Sequence, residues 1–255
     1  MIFILLKIWL LIVALNKARL DRYLAQHCQV SRKSVRLILA QNRVLINGEI
    51  AHDADEIIDT FSHIIFDGQV IQDNPPYYIM LNKPTGVVSA TRDTQHKTVI
   101  DLLSCSYKSE LHIVGRLDLN TSGLVLMTND SRWSERLTLP EKKVTKRYMV
   151  TLKNKLDEEY VQAFAKGMYF AFEDITTKPA KLTIISDYQA QVELIEGRYH
   201  QIKRMFGRFR NPVMALHRCA IGNLALDNNL AAGESRELTK LEVAGIDRDS
   251  TVFDL

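Results

Sequence analysis

The ten residues Gly115-Arg116-Leu117-Asp118-Leu119-Asn120-Thr121-Ser122-Gly123-Leu124 decide how this chain is read. They set one carboxylate, Asp118, in a turn-prone loop between two strand-like apolar runs, His112-Ile113-Val114 before it and Leu124-Val125-Leu126-Met127 after it. Gly115 and Gly123 bracket the loop, and glycine permits the tight turns and close ligand approach that a strand-tip site needs. Arg116, two residues before the aspartate, can hold a nearby phosphate or the carboxylate itself. Taken alone, Arg-x-Asp is an ordinary Asx-turn with a surface ion pair, because aspartate and asparagine are common turn formers. Loops carried on rigid strands are also where catalytic groups concentrate.

Outward from this loop, strands and helices mix. Asn129 or Asp130 can cap a helix carrying Trp133 and Leu137 that ends by Pro140. Arg147 to Leu152 is strand-like, Asp157 caps a further helix, and Gly167 is placed to close it. Gln189 to Ile195 and Val213 to Ile221 are strand candidates, with a basic helix, about Tyr199 to Phe209, between them. Upstream, Asp73-Asn74-Pro75-Pro76 is the linker, since paired prolines lack amide donors and stop both helices and central strands. Before the linker, Leu20, Tyr23 and Leu24 share one face of a short helix, and Ser31 caps a second whose apolar stripe is Val35, Ile38 and Leu39. Val44 to Ile50 reads as two short strands around an Asn-Gly turn, and His63 to Gly68 as another strand and turn.

The fold class is therefore α+β: a small N-terminal helix-helix-strand module, then a larger domain with a mixed, largely antiparallel central sheet flanked by helices. The boundaries are 17–72 for the module, 73–76 for the linker and 77–250 for the larger domain. Residues 1–16 form an apolar extension, apolar from Met1 to Leu15 apart from Lys7. As a helix, its first fifteen residues would span roughly 22 Å, short of the roughly 30 Å hydrocarbon core. It lacks the charged start of a signal peptide. The preferred expectation is an over-extended gene start, with a membrane anchor as the alternative. A native peptide containing Phe3 to Trp9 would sink the mis-start idea.

The chain of 255 residues is 46% apolar and 25% charged, normal for a globular protein that buries a real core. Its net charge of +3 leans towards anionic partners without deciding anything. The distribution says more. Seven Lys/Arg lie between Lys17 and Arg43 against the single acid Asp21, whereas Val44 to Gln72 holds six acids and no Lys/Arg. That cluster is a nucleic-acid footprint or a solvated helix face. Cys28, Cys105 and Cys219 are far apart and odd in number, which reads as reduced, structural and cytosolic. His112, His200 and His217 lack metal-ligand spacing, so no metal is expected, and the latter two are RNA-facing or structural. Lys83-Pro84-Thr85-Gly86 lacks the spacing of a phosphate loop.

Further strings fall in order around the Asp118 loop: Leu81-Asn82-Lys83-Pro84-Thr85-Gly86-Val87-Val88, Thr145-Lys146-Arg147-Tyr148, Glu196-Gly197-Arg198-Tyr199-His200-Gln201-Ile202-Lys203-Arg204-Met205-Phe206, then Ala215-Leu216-His217-Arg218 and Ile221-Gly222. Together they resemble the pseudouridine synthases, in the RsuA-like branch that includes a small-subunit rRNA enzyme. The resemblance runs from about Arg19 to about Leu241. The N-terminal module resembles the αL-type RNA-binding module of a small-subunit ribosomal protein.

The resemblance implies isomerisation of uridine to pseudouridine in rRNA, most simply small-subunit 16S rRNA. The alternatives are a large-subunit enzyme and a catalytically silent RNA-binding or ribosome-assembly factor. It assigns Asp118 as the central carboxylate, acting as nucleophile or as base in glycal formation. Tyr148 supplies an aromatic face for the flipped base, Ile202 packs beneath it, and Lys203 is the basic partner of Asp118. Arg116 contacts RNA or fills the gap left by the extruded nucleotide. RNA contacts are expected from Arg19, Arg22, Arg32, Lys33, Arg36 and Arg43 in the module, and from Arg198, His200, Gln201 and Arg204 in the larger domain. The reaction is redox-neutral and needs no cofactor. The implied partner is rRNA or a ribosomal assembly intermediate, met by a cytoplasmic monomer.

Overall fold

A computed structural model describes residues 17–247, so the expectations for residues 1–16 lie outside the described residues. The chain divides between Pro76 and Tyr77 into two compact units.

In the first unit β1 (Lys17–Arg19) runs into α1 (Leu20–His27), followed by α2 (Arg32–Ala40), β2 (Val44–Ile46), β3 (Glu49–Ile50), β4 (Ile57–Asp59), β5 (Ile64–Phe66) and β6 (Gln69–Gln72). Helical spacing gathers Leu20 and Leu24 on α1 and Val35, Ile38 and Leu39 on α2 into one core with Val44, Ile46, Ile58 and Ile64. Ser31 starts α2: its Oγ accepts from the Ser34 amide at 3.1 Å, satisfying a donor the helix leaves open. The sheet order is β3-β2-β5-β6. Asn47 and Gly48 both have positive φ, 53° and 88°, as a tight primed hairpin turn requires. The pairing of β1 with β4 is a strand ribbon that no sequence signal announced.

The second unit carries β7 (Tyr78–Lys83), β8 (His112–Val114), β9 (Ser122–Thr128), α3 (Ser131–Thr138), β10 (Lys146–Leu152), α4 (Glu158–Lys166), β11 (Tyr169–Phe170), β12 (Ile175–Thr176), β13 (Lys181–Ser186), β14 (Gln189–Leu194), α5 (Gln201–Gly207), β15 (Val213–Ile221), β16 (Leu224–Ala225), β17 (Ser235–Glu237) and α6 (Lys240–Gly245). Its main sheet runs β13-β14-β10-β15-β9-β7-β17, with β8 on β9 and β16 on β15. The pairs are antiparallel except β9 with β15, which is parallel and sets His217 beside Ser122 and Arg218 beside Gly123. The expected mixed, largely antiparallel sheet is what forms.

Strand alternation builds a core on each face of this sheet. Ile79, Leu81, Val125 and Met127 join Tyr160 and Phe164 of α4 and Met205 and Phe206 of α5. Met80, Leu124 and Leu126 join Trp133 and Leu137 of α3 on the other face. Burial on both faces explains the unbroken apolar run Leu124 to Met127. Asp130 caps α3 by accepting from the amides of Arg132 and Trp133, and Asp157 caps α4 by accepting from Glu159. The basic helix is shorter than its charge pattern suggested. His200 takes a left-handed conformation (φ 50°, ψ 28°) and so lies outside α5 as its N-cap.

Candidate active site

Asp118 sits in the loop between β8 and β9, and that loop is held by its own backbone carbonyls. Lys83, fully buried at the end of β7, donates from Nζ to the carbonyls of Thr121 (2.7 Å), Pro84 (3.0 Å), Asp118 (3.1 Å) and Leu119 (3.4 Å). Arg218, also buried, reaches from β15 to the carbonyls of Leu124 and Gly115, each at 2.8 Å. The hydroxyl of Ser89 donates to the Leu117 carbonyl and accepts from the Leu117 amide. The Gly86 amide donates to Leu119. Two buried cations and a serine therefore fix the loop at both ends and at its centre. Burial pushes Lys83 down to about 8, an effect the Asp118 charge partly offsets.

Gly123 has a role other than ligand approach. With φ at 105°, it is where the Arg218 backbone comes closest: a Cβ there would lie 2.3 Å from the Arg218 carbonyl oxygen. The glycine lets β9 and β15 run side by side, which is what carries the Arg218 guanidinium to the loop.

Asp118 opens onto a cleft of about 80 Å³ whose lining includes Arg116, Tyr148, His200, Ile202 and Lys203. Lys203 Nζ is 3.2 Å from Asp118 Oδ2, a charge-assisted hydrogen bond. Tyr148 on β10 and Ile202 on α5 are buried in the core beneath the cleft, at 8% and 4% exposure, yet both present atoms to it. Arg116 is exposed at the cleft and makes no ion pair with Asp118. The structure thus brings Arg116, Asp118, Tyr148, Ile202 and Lys203 to one place.

The other expected contacts divide. Gln201 is buried at 4%: its amide donates to Glu196 at 2.7 Å, and its oxygen accepts from the Arg198 amide. It shapes the turn into α5 while lining the same cleft, as does Arg198. Arg198 pairs with the buried Glu196, and Arg204 pairs with Glu173 while stacking on the Phe170 ring. In the first unit Arg19 and Arg32 converge on the buried Asp21, holding its carboxyl down at about 2, and Arg43 pairs with Asp67. Arg22, Lys33 and Arg36 are exposed and form no ion pair among the described residues.

The histidines also separate. His112 bonds Ser134 and His217 bonds Ser122, each at 2.9 Å, and burial pushes both below the usual histidine range. His200 belongs to the cleft. Among the described residues no group of three or more His, Cys, Asp or Glu could hold a metal ion.

Lys83, Arg218 and Ser89 had no assigned role from sequence. Two of them carried a signal: a charged residue inside or ending an apolar strand must be satisfied by something, and here it is the loop.

The chain and its fold resemble known proteins. Residues 77–207 match the family model described as RNA pseudouridylate synthase. The chain is 44% identical to ribosomal small subunit pseudouridine synthase A of Pseudomonas aeruginosa, over 89% of this chain and 100% of that protein. The protein of that name from Escherichia coli K12 is 42% identical, over 89% of this chain and 99% of its own length. A crystal structure of a pseudouridylate synthase is 39% identical with a TM-score of 0.66, covering 89% of this chain and 99% of that one. Matched over nearly nine-tenths of its length, this chain belongs to the RNA pseudouridylate synthase family.

Proposed function

We propose that this enzyme isomerises a uridine of small-subunit 16S rRNA to pseudouridine, with Asp118 as the carboxylate that acts on the ribose. One observation carries the assignment: a carboxylate on a loop clamped by two buried cations, paired with Lys203 and opening onto a cleft lined by Tyr148 and Ile202. The bond from ribose C1′ to N1 breaks, the base turns, and C1′ joins C5. The C5 proton leaves and N1 gains one, so the reaction is an isomerisation with no redox change. Asp118 either attacks C1′ or removes the 2′ proton, and both routes need the same carboxylate in the same place. The base must be extruded from its stack to reach that place, and Tyr148 gives it an aromatic surface. Arg116 meets RNA at the cleft.

The first unit engages RNA through Arg22, Lys33 and Arg36, whose charges are not spent on protein carboxylates; phosphate contacts there supply affinity and little sequence information. Arg19, Arg32 and Arg43 add positive field while holding the unit together. The enzyme works as a cytoplasmic monomer without metal or cofactor, on rRNA or an assembly intermediate. Among the described residues no helix is long and apolar enough to cross a membrane.

The test is carbodiimide mapping of 16S and 23S rRNA from a strain lacking the gene, with and without a plasmid copy. Loss and return of one 16S pseudouridine supports the assignment. A site in 23S rRNA would overturn the choice of subunit, and no change in either RNA would overturn the activity.

A further inference from the structure

His200 lines the cleft beside Asp118. Its left-handed backbone turns the ring back into the cleft, where Nε2 lies 3.3 Å from Asp118 Oδ2. That is the oxygen already bonded by Lys203 at 3.2 Å. Asp118 Oδ1 accepts no hydrogen bond among the described residues. The outer face of the imidazole is covered by Tyr199, stacked at 3.9 Å between centroids and 19° between planes. Tyr199 is itself 76% exposed, so its contribution to the core is small and its packing partner is the His200 ring.

We propose that His200 is a positioning residue for the isomerisation: with Lys203 it fixes Oδ2 of Asp118 and leaves Oδ1 as the oxygen that meets the ribose. The proposal rests on the pseudouridine assignment above. A carboxylate has two equivalent oxygens and a broad torsion about its last bond, so one donor leaves it free to swing. Two contacts on a single oxygen, the Lys203 hydrogen bond and the His200 ring nitrogen at 3.3 Å, three residues apart along the chain, restrict that freedom. The remaining oxygen then has a defined direction into the cleft, which is what a reacting group needs. The other charged groups at this oxygen and cleft are Lys203, Arg116 and Arg198; none replaces the contact from the His200 side.

Two substitutions separate this role from an RNA contact. His200→Asn keeps a residue that tolerates the left-handed backbone but is too short to reach Oδ2. His200→Gln puts an amide nitrogen near the lost Nε2. The substrate is small-subunit rRNA labelled with tritium at uridine C5, from a strain lacking the gene. Single-turnover tritium release at saturating enzyme and RNA affinity by filter binding are measured side by side. We expect the Asn variant to lose about 100-fold in rate, the scale of a small misplacement of a reacting group, with affinity unchanged. Gln should recover most of that loss. Tyr199→Ala, which frees the ring, should lower the rate in the same sense and by less. An Asn variant that turns over normally, or whose defect lies in affinity, would overturn the proposal. So would equal rate losses in Asn and Gln, which would make the imidazole an acid or base. Absence of tritium release from the wild-type enzyme would fail the pseudouridine assignment itself, separately from these comparisons.

Discussion

Replacing Lys83 with methionine tests whether the Asp118 loop is held as described. The change keeps the length of the side chain and removes its charge. Four carbonyls lose a donor, but Asp118 still accepts from Thr121 and Leu119 still accepts from Gly86. The serious losses are at Pro84 and Thr121, at about 1–3 kcal/mol for each buried acceptor left open. Against this, burying the ammonium is itself costly. The gap between about 8 and the ordinary 10.5 corresponds to about 3 kcal/mol at 1.36 kcal/mol per tenfold change. At neutral pH the two effects nearly offset, and the variant should be no more than about 3 kcal/mol less stable than wild type. Because Lys83 is pushed below its unfolded value, the unfolded chain binds the extra proton between pH 8 and 10.5, and native stability rises with pH in that window. Methionine has no such rise, so wild type should pull away by up to about 3 kcal/mol as pH climbs. Lys146, also pushed to about 8 by burial, is present in both proteins and cancels from the difference. Urea denaturation at pH 7, 8, 9 and 10 measures the gap. A gap that stays flat means Lys83 keeps its proton throughout and refutes the reasoning. Tritium release at pH 7 should fall about 100-fold, because the carboxylate loses its fixed support. Full activity would show that the cage does not position Asp118.

Asp118→Asn should abolish tritium release while leaving the urea midpoint and RNA affinity within error; substantial product would remove this carboxylate from the reaction. Tyr148→Leu should lose much more activity than Tyr148→Phe, since stacking a base on an aromatic ring is worth about 1–3 kcal/mol; equal losses in the two would assign the work to the hydroxyl. Replacing Arg22, Lys33 and Arg36 together by alanine should flatten the salt dependence of log K for RNA by about 2–3, at 0.7–0.9 per phosphate. The single-turnover rate at saturation should hold, and an unchanged salt slope would return these residues to an ordinary solvated surface.

Local chemistry explains what the sequence made legible. Ser31, Asp130 and Asp157 cap helices because short polar side chains reach the amides two or three residues on, a relation visible in any window of four residues. The Asn47-Gly48 turn is legible for the same reason. The Asp118 loop was legible because glycines and turn formers stand between two apolar runs. Other features depend on residues far apart in the chain. Arg32 spends its charge on Asp21, eleven residues earlier and in another helix. Gln201 turns inward because Glu196 waits there, and His200 takes a left-handed conformation that a helical pattern cannot register. Strand β17 is short and polar, and pairs with β7 across about 150 residues of chain. Charge patterning marked the stretch from about Tyr199 to Phe209 as a basic helix but could not say which of its charges had protein partners.

The parallel pairing of β9 with β15 also constrains the order in which the active site comes into being. Ser122 and His217 are ninety-five residues apart, and the Arg218 that grips both ends of the Asp118 loop arrives with the later strand. Until then β9 and β10 each lack the neighbour that separates them in the finished sheet, and contacts of such long sequence separation form slowly. During synthesis, the chain through α5 can hold Asp118, Tyr148 and Lys203 yet still lack the strand that locks them together. A partial chain ending before Val213 therefore lacks both the strand and the Arg218 guanidinium that hold the Asp118 loop. The candidate site is complete only once that late strand lies between two earlier ones.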